Sequence, residues 1–371
     1  MKTLAAGLFA FMILVTATAN ATIRFVSAQG AGQYTTIETA ATAAVTGDTI
    51  LVGPGVYNGN GSGVNQPNKR LIWIGAGWDQ TTYVMNNGLW YFNSAGANRS
   101  SVEGLYLSQT TGNYAIVGAN NIDSCAVRRC LITSGYDNIR YGSGNTGRGI
   151  TVEDCILILT ANTSAPNVTL PDGNYPSVYR NCVIAQQNGI TNSTGFTGGA
   201  TSGTLEIYNC VFLNQRILFN LNASGGPVIA VNNIFWDWYP TSPAIGVYNA
   251  GSVFDYNAST ASPAFPGTNL ITISTDPFVN YDEAVNYTGF NADLHLHATN
   301  GASLINSGHP SLLDFTDGTQ SDRGVYGGPK PMVDNGVPNY PWAVNVAANP
   351  NLVGTGTPIN ASATVRVGPS Y

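Results

Sequence analysis

Val127-Arg-Arg-Cys-Leu-Ile132, Val152-Glu-Asp-Cys-Ile-Leu157, Tyr179-Arg-Asn-Cys-Val-Ile184 and Ile207-Tyr-Asn-Cys-Val-Phe212 are copies of one six-residue unit. Val102-Glu-Gly-Leu-Tyr-Leu107 precedes them and Val231-Asn-Asn-Ile-Phe-Trp236 follows in the same frame. The fourth position then reads Leu105, Cys130, Cys155, Cys182, Cys210 and Ile234, in steps of 25, 25, 27, 28 and 24 residues. Val253-Phe-Asp-Tyr256 continues the series 22 residues later. A fixed period in this range is the mark of a solenoid. The units carry no i, i+3, i+4 apolar pattern, only short alternation broken by a small or polar residue, so helical repeats are excluded. Propeller blades need about 40 residues per unit. The repeat therefore predicts an all-β chain, a single-stranded right-handed parallel β-helix, each coil stacked about 4.8 Å above the last.

Within the unit, the first, fourth and sixth positions are expected to point inward. The third position (Gly104, Arg129, Asp154, Asn181, Asn209, Asn233) sits at a bend, where Asn and Asp tolerate the left-handed backbone region. The second reads Glu103, Arg128, Glu153, Arg180, a ladder of alternating charge if these side chains face outward in register. The fifth (Tyr106, Leu131, Ile156, Val183, Val211, Phe235) is apolar throughout yet should face outward. A stripe of that length calls for a covering segment or a partner. Four of the five cysteines fall in the inward fourth column, where a thiol packs as a small hydrophobe and parallel Cβ vectors disfavour a disulfide. Cys125 lies outside the column and is the candidate for a pair or a reactive thiol.

The composition agrees with many strands and tight turns. Charged residues are 9% of the chain, against about 25% in an ordinary globular domain. The 43 glycines and abundant Asn, Thr and Ser take their place. A net charge of −6 argues against a nucleic-acid partner, which needs clustered Lys and Arg. Residues 1–21 read as a secretory signal peptide: Lys2, an apolar run from Leu4 to Val15, and the Ala19-Asn20-Ala21 cleavage pattern. The run is too short to span a bilayer, so a secreted or cell-surface protein with no membrane span in the mature chain is expected.

The start of the mature chain, Gln33-Tyr-Thr-Thr-Ile37, Gly47-Asp-Thr-Ile-Leu-Val52, Gly53-Pro-Gly-Val-Tyr57 and Leu71-Ile-Trp-Ile-Gly-Ala-Gly77, resembles the opening of pectin-lyase-like β-helices, pectin methylesterases included. That resemblance implies a short helix capping the barrel end. Asp293-Leu-His-Leu296, Gly301-Ala-Ser-Leu-Ile-Asn306 and Asp322-Arg-Gly-Val-Tyr-Gly-Gly328 are similar to the closing segment of secreted bacterial right-handed β-helix repeat proteins. The β-helix is accordingly assigned to 22–329. Residues 330–371 form a C-terminal β tail, with alternating runs at Ala343–Ala347 and Ile359–Val367, that serves as a cover or an assembly segment.

Chemistry is harder to find. The signatures of polygalacturonases and pectin methylesterases are absent. The densest charged stretch, Asp123, Arg128, Asp137, Arg140, Arg148 and Asp154, is the candidate site for a carboxylated sugar. Trp236, Asp237, Trp238 and Tyr239 are the candidate glycan-binding platform, since sugars stack on aromatic faces. His295 and His297 alternate on one strand and His309 is remote, so no metal site is expected. With no convergent acid, base or metal group, the sequence favours a non-catalytic extracellular β-helix for surface structure, self-assembly, adhesion or glycan binding. The alternative is a polysaccharide lyase or other carbohydrate-active enzyme on an acidic glycan. No cofactor is expected, Ca²⁺ entering only with the lyase alternative. The partners expected are extracellular polysaccharide or other copies of the chain.

Overall fold

The computed structural model describes residues 21–65, 68–118, 122–141, 149–161, 164–173, 175–191, 193–349 and 360–371. Residues 1–20, which hold all but the last residue of the expected signal peptide, and Arg148 lie outside them. The chain winds into an all-β parallel solenoid of about nine coils. Its crossovers take the right hand that parallel connections adopt in about 98% of cases.

Three parallel sheets run the length of the solenoid, of ten, ten and eight strands. Each coil gives one short strand to each in turn. In the first sheet, Ser101–Glu103, Ala126–Arg128, Thr151–Glu153 and Ser177–Arg180 stack so that Glu103, Arg128, Glu153 and Arg180 stand in register. The charge ladder is real: Arg128 Nε lies 2.9 Å from Glu153, and Arg180 lies 3.9 Å from the same carboxylate.

The bend between the first and second sheets is left-handed in seven successive coils, at Gly104, Arg129, Asp154, Asn181, Asn209, Asn232 and Tyr256. Two assignments made from the repeat need correction here. The bend of the eighth coil is Asn232, not Asn233, and Tyr256 is a bend residue rather than a member of the inward column. Val231 pairs with Tyr208, so Asn233 stands above Cys210, and Ile234 moves to the outward fifth position beside Val211. The inward column thus reads Leu105, Cys130, Cys155, Cys182, Cys210, Asn233, Asn257, each at most 2% exposed.

The cysteines are free and buried. Each thiol from Cys155 upward donates toward a carbonyl of the coil below, Cys155 to Val127 and Cys182 to Val152 at 3.5 Å. The two asparagines replace packing with hydrogen bonds. Asn233 Oδ1 accepts from Cys210 N at 2.8 Å, and its Nδ2 donates to Ile207 O at 3.0 Å. Asn257 Oδ1 accepts from Asn233 N at 3.0 Å and its Nδ2 donates to Ala230 O at 2.8 Å. An interior amide is tolerated because its donors and acceptor are paired. Cys125, too, is free and buried. Its Sγ donates to Ala97 O, and burial pushes the thiol up to about 12, which makes it a packing residue rather than a nucleophile.

A seven-residue helix, Ile37–Ala43, closes the amino-terminal end, burying Ile37, Ala40 and Ala41. Thr36 caps it by accepting from Thr39 N. This is the cap that the resemblance at the start implied.

The outward apolar stripe is covered by the chain itself. Leu131, Ile156, Val183, Val211 and Ile234 form one buried cluster with Phe278, Tyr287, Leu294, Leu304, Val325 and Met332. The last coil strand is Ile271–Thr272, so residues 273–332 run along the outside of the second sheet instead of coiling on. Their attachment points are the bend residues. Asn181 Nδ2 donates to Val325 O and Gly327 O, Asn209 Nδ2 to Asp322 O, and Asn232 Oδ1 accepts from His309 N. The remaining tail forms an antiparallel hairpin, Trp342–Asn349 with Asn360–Arg366, anchored by Trp342 against Leu51 and Ala76 and by Arg366 on Asp79.

Candidate functional site

The five described charged candidates do not share one face. Arg128 and Asp154 belong to the first sheet and its bend, together with Glu103, Arg129, Glu153 and Lys330. Asp137 and Arg140 belong to the third sheet, with Tyr114, Tyr136 and Pro166. Asp123 sits at the turn leading into Ala126–Arg128, where Ser124 Oγ donates to it. The expectation of one shared groove is therefore not met, because the coil carries the chain from one face to the other between Arg128 and Asp137.

Electrostatics separates the two clusters further. On the first sheet Glu153 lies within 3.9 Å of Arg128, Arg180 and Lys330. Burial alone would raise its pKa, but Arg128, Lys330 and Arg180 together hold it below the usual range. All three cations share that one carboxylate. Arg129 is buried on Asp154 at 3.6 Å and bonds the tail through Val337 O and Pro369 O. Burial pushes Asp154 up to about 8 against the pull of Arg129. The group is a fastening for the tail.

The third sheet differs. Its outward row, set by strand register, is Asn65, Tyr91, Val117, Arg140, Thr169, Thr197, Asn220 and Val247. The second sheet lies under residues 273–332, whereas among the described residues no apolar cluster packs on this row. Arg140 is its one cation. Its Nη1 donates to Tyr114 Oη at 2.8 Å, its guanidinium lies 4.3 Å from the Tyr114 ring centre, and its side chain is 39% exposed. Asp137 lies 3.9 Å away and is almost wholly buried. Thr169 Oγ1 donates to Asp137 Oδ2 at 2.6 Å, while Oδ1 is buried without a hydrogen bond. Burial raises the pKa of Asp137, with Thr169 and Arg140 opposing. At 3.9 Å the Asp137 carboxylate meets Arg140 only at the limit of an ion pair. The result is an under-neutralised, half-exposed cation on an open polar face.

An interior amide network holds this corner in place. Asn138 Nδ2 donates to Ile132 O, Ser134 Oγ and Ile158 O, and Asn167 Nδ2 donates to Asn138 Oδ1 and Ala185 O. Gln186 and Gln215 continue it upward. Asn138, buried and fixed from several sides, lies between Asp137 and the strand Ile139–Tyr141 that presents Arg140. Tyr114, Tyr136 and Thr169 escaped the sequence reading. Thr169 comes from the next coil and Tyr114 from the previous one, so only the coil period, applied to the third sheet, could have brought them together.

The aromatic candidates are mainly packing. Trp236 is buried in the covered cluster, and Trp238 stacks on Phe235 with Nε1 donating to Ser259 Oγ. Tyr239 is half-buried, its N–H bonded to Gln215 O. Asp237 accepts from Tyr281 Oη at 2.5 Å. Burial raises Asp237 to about 6 against that bond. With an unfolded value of about 4, this group favours the fold fully below about pH 4, and the contribution is lost as pH rises through about 6. Asp237→Asn should therefore flatten the fall in melting temperature between those two pH values, while an unchanged profile would show that Asp237 is not the group responsible.

Among the described residues no three His, Cys, Asp or Glu side chains gather as a metal site. Asp137 offers a single carboxylate beside a cation, which does not fit the six to eight oxygens Ca²⁺ requires.

No family profile and no curated protein matches the chain. Solved structures similar to it include a pectin methylesterase from Aspergillus niger, 14% identical over 70% of this chain and 92% of that one, TM-score 0.46. A pectate lyase is 13% identical over 82% of this chain and 95% of that one, TM-score 0.40. Pectin methylesterase from carrot is 12% identical over 68% and 88%, TM-score 0.39. Both kinds of enzyme are right-handed parallel β-helices.

Proposed function

We propose that this chain is a secreted protein that engages an acidic polysaccharide along the third sheet, with Arg140 receiving a uronate carboxylate. The observation that carries this is the under-neutralised Arg140 on the one outward row that no described apolar segment covers. An Arg–carboxylate contact is charge-assisted and directional, and Tyr114 holds the guanidinium ready for it. The reaction class that the cluster supports is β-elimination. Arg140 would neutralise the uronate carboxylate, and the Asp137 carboxylate would take the adjacent ring proton and pass it to the departing sugar oxygen as the carbon–oxygen bond breaks and the carbon–carbon double bond forms. No step needs a metal.

The test combines binding and turnover on polygalacturonate and alginate oligomers. Arg140→Ala should weaken binding roughly tenfold or more, and Arg128→Ala, already paired to Glu153, should not. Equal binding by wild type and Arg140→Ala would overturn the assignment. Release of an unsaturated, ultraviolet-absorbing product by wild type, lost in Asp137→Asn, supports the lyase. Binding without product supports a non-catalytic glycan binder on the same face. Sedimentation of the same samples reads self-association.

A further inference from the structure

A second cavity, of about 260 Å³, lies against the covered second sheet and shares no lining residue with the Arg140 cluster. Three distant parts of the chain build it: Trp78 from an early coil, Phe290, Asp293, His295 and Tyr326 from the covering segment, and Asp334 from the start of the tail. No Lys or Arg lines it.

Its polar groups are set in fixed directions. Asp293 Oδ1 accepts from His295 N at 3.0 Å and lies 2.7 Å from His295 Nδ1. Asp334 Oδ1 accepts from Tyr326 Oη at 2.7 Å. The His295 ring stacks on Tyr326 at 3.5 Å with 13° between planes, which locks both carboxylate partners against each other. Each carboxylate keeps its second oxygen free of hydrogen bonds among the described residues. Phe290, 54% exposed, stands at the rim and packs edge-on to Trp78 with 5.1 Å between ring centres. The cavity thus offers anionic acceptors and an aromatic rim, with no Lys or Arg in its lining.

We propose that this cavity binds a primary ammonium carried on a hydroxylated ring, a hexosamine unit. The aromatic faces favour a cation and the C–H face of a sugar. The free carboxylate oxygens call for N–H and O–H donors, which a quaternary ammonium does not have. An anionic sugar would meet two carboxylates and be repelled. This preference is opposite to that of the Arg140 face, so the two sites are independent.

The experiment is calorimetric titration of the full mature chain with the glucosamine tetramer, its N-acetylated counterpart, and choline. The deacetylated tetramer should bind, and the other two should bind at least roughly tenfold more weakly. Asp293→Asn and Asp334→Asn, which keep shape and hydrogen-bonding capacity, should each weaken the deacetylated tetramer roughly tenfold or more. Asp317→Asn, at an exposed turn outside the cavity, and Arg140→Ala should leave it unchanged. Equal binding of the acetylated tetramer or of choline, equal weakening by Asp317→Asn, or no binding at all would each overturn the proposal. Melting curves of both Asn variants verify that they fold.

Discussion

Asn233→Ala should cost this protein about 3–5 kcal/mol, more than any ordinary surface change. The substitution leaves Cys210 N–H and Ile207 C=O unpaired in the interior, at about 1–3 kcal/mol each, and opens a small cavity. Asn233→Cys should fall between wild type and Ala. It extends the thiol column, and its Sγ can accept from Cys210 N weakly, as Cys210 Sγ accepts from Cys182 N at 3.4 Å. Denaturant midpoints measure both. A loss below about 1 kcal/mol for Asn233→Ala would mean that the amide does not bridge coils as described.

Val211→Asp is the second large effect. On a bare solenoid the fifth position would face water, and a carboxylate there would cost little. Here Val211 is fully buried beneath the covering segment, with Gly324 close against it. A carboxylate without a cation partner in that setting should lower stability by about 4 kcal/mol or more. Thr197→Asp, at the outward row of the third sheet, should stay within about 0.5 kcal/mol. The contrast separates a covered face from an open one. Similar melting temperatures for the two variants would contradict it.

The repeat made the coil legible because an inward column and a left-handed bend recur at fixed spacing. The slip of one residue at the eighth coil has a physical cause. Val231-Asn-Asn-Ile can be aligned with either asparagine at the bend, and an apolar residue in the inward column looked better than an amide. The hydrogen bonds that make Asn233 acceptable there come from neighbouring coils about 25 residues away, beyond the reach of local pattern.

The fifth-position stripe announced a cover, but the covering segment was hidden. Residues 273–332 show little periodicity, since they are held by side chains such as Asn181 and Asn209 bonding to their backbone carbonyls. The site was legible only in part. Asp137 and Arg140 stood out because charges are scarce, yet sequence proximity also drew in Arg128 and Asp154, which the coil carries to another face. Trp236 and Trp238 looked like a platform because their count was visible and their burial was not.

The most direct test of the functional reading is a crystal structure of the protein with a uronate tetramer bound. The carboxylate of one sugar should lie within hydrogen-bonding distance of Arg140, with the chain running across the third sheet's outward row. A tetramer seated instead on Arg128, Arg180 and Lys330 of the first sheet would contradict it.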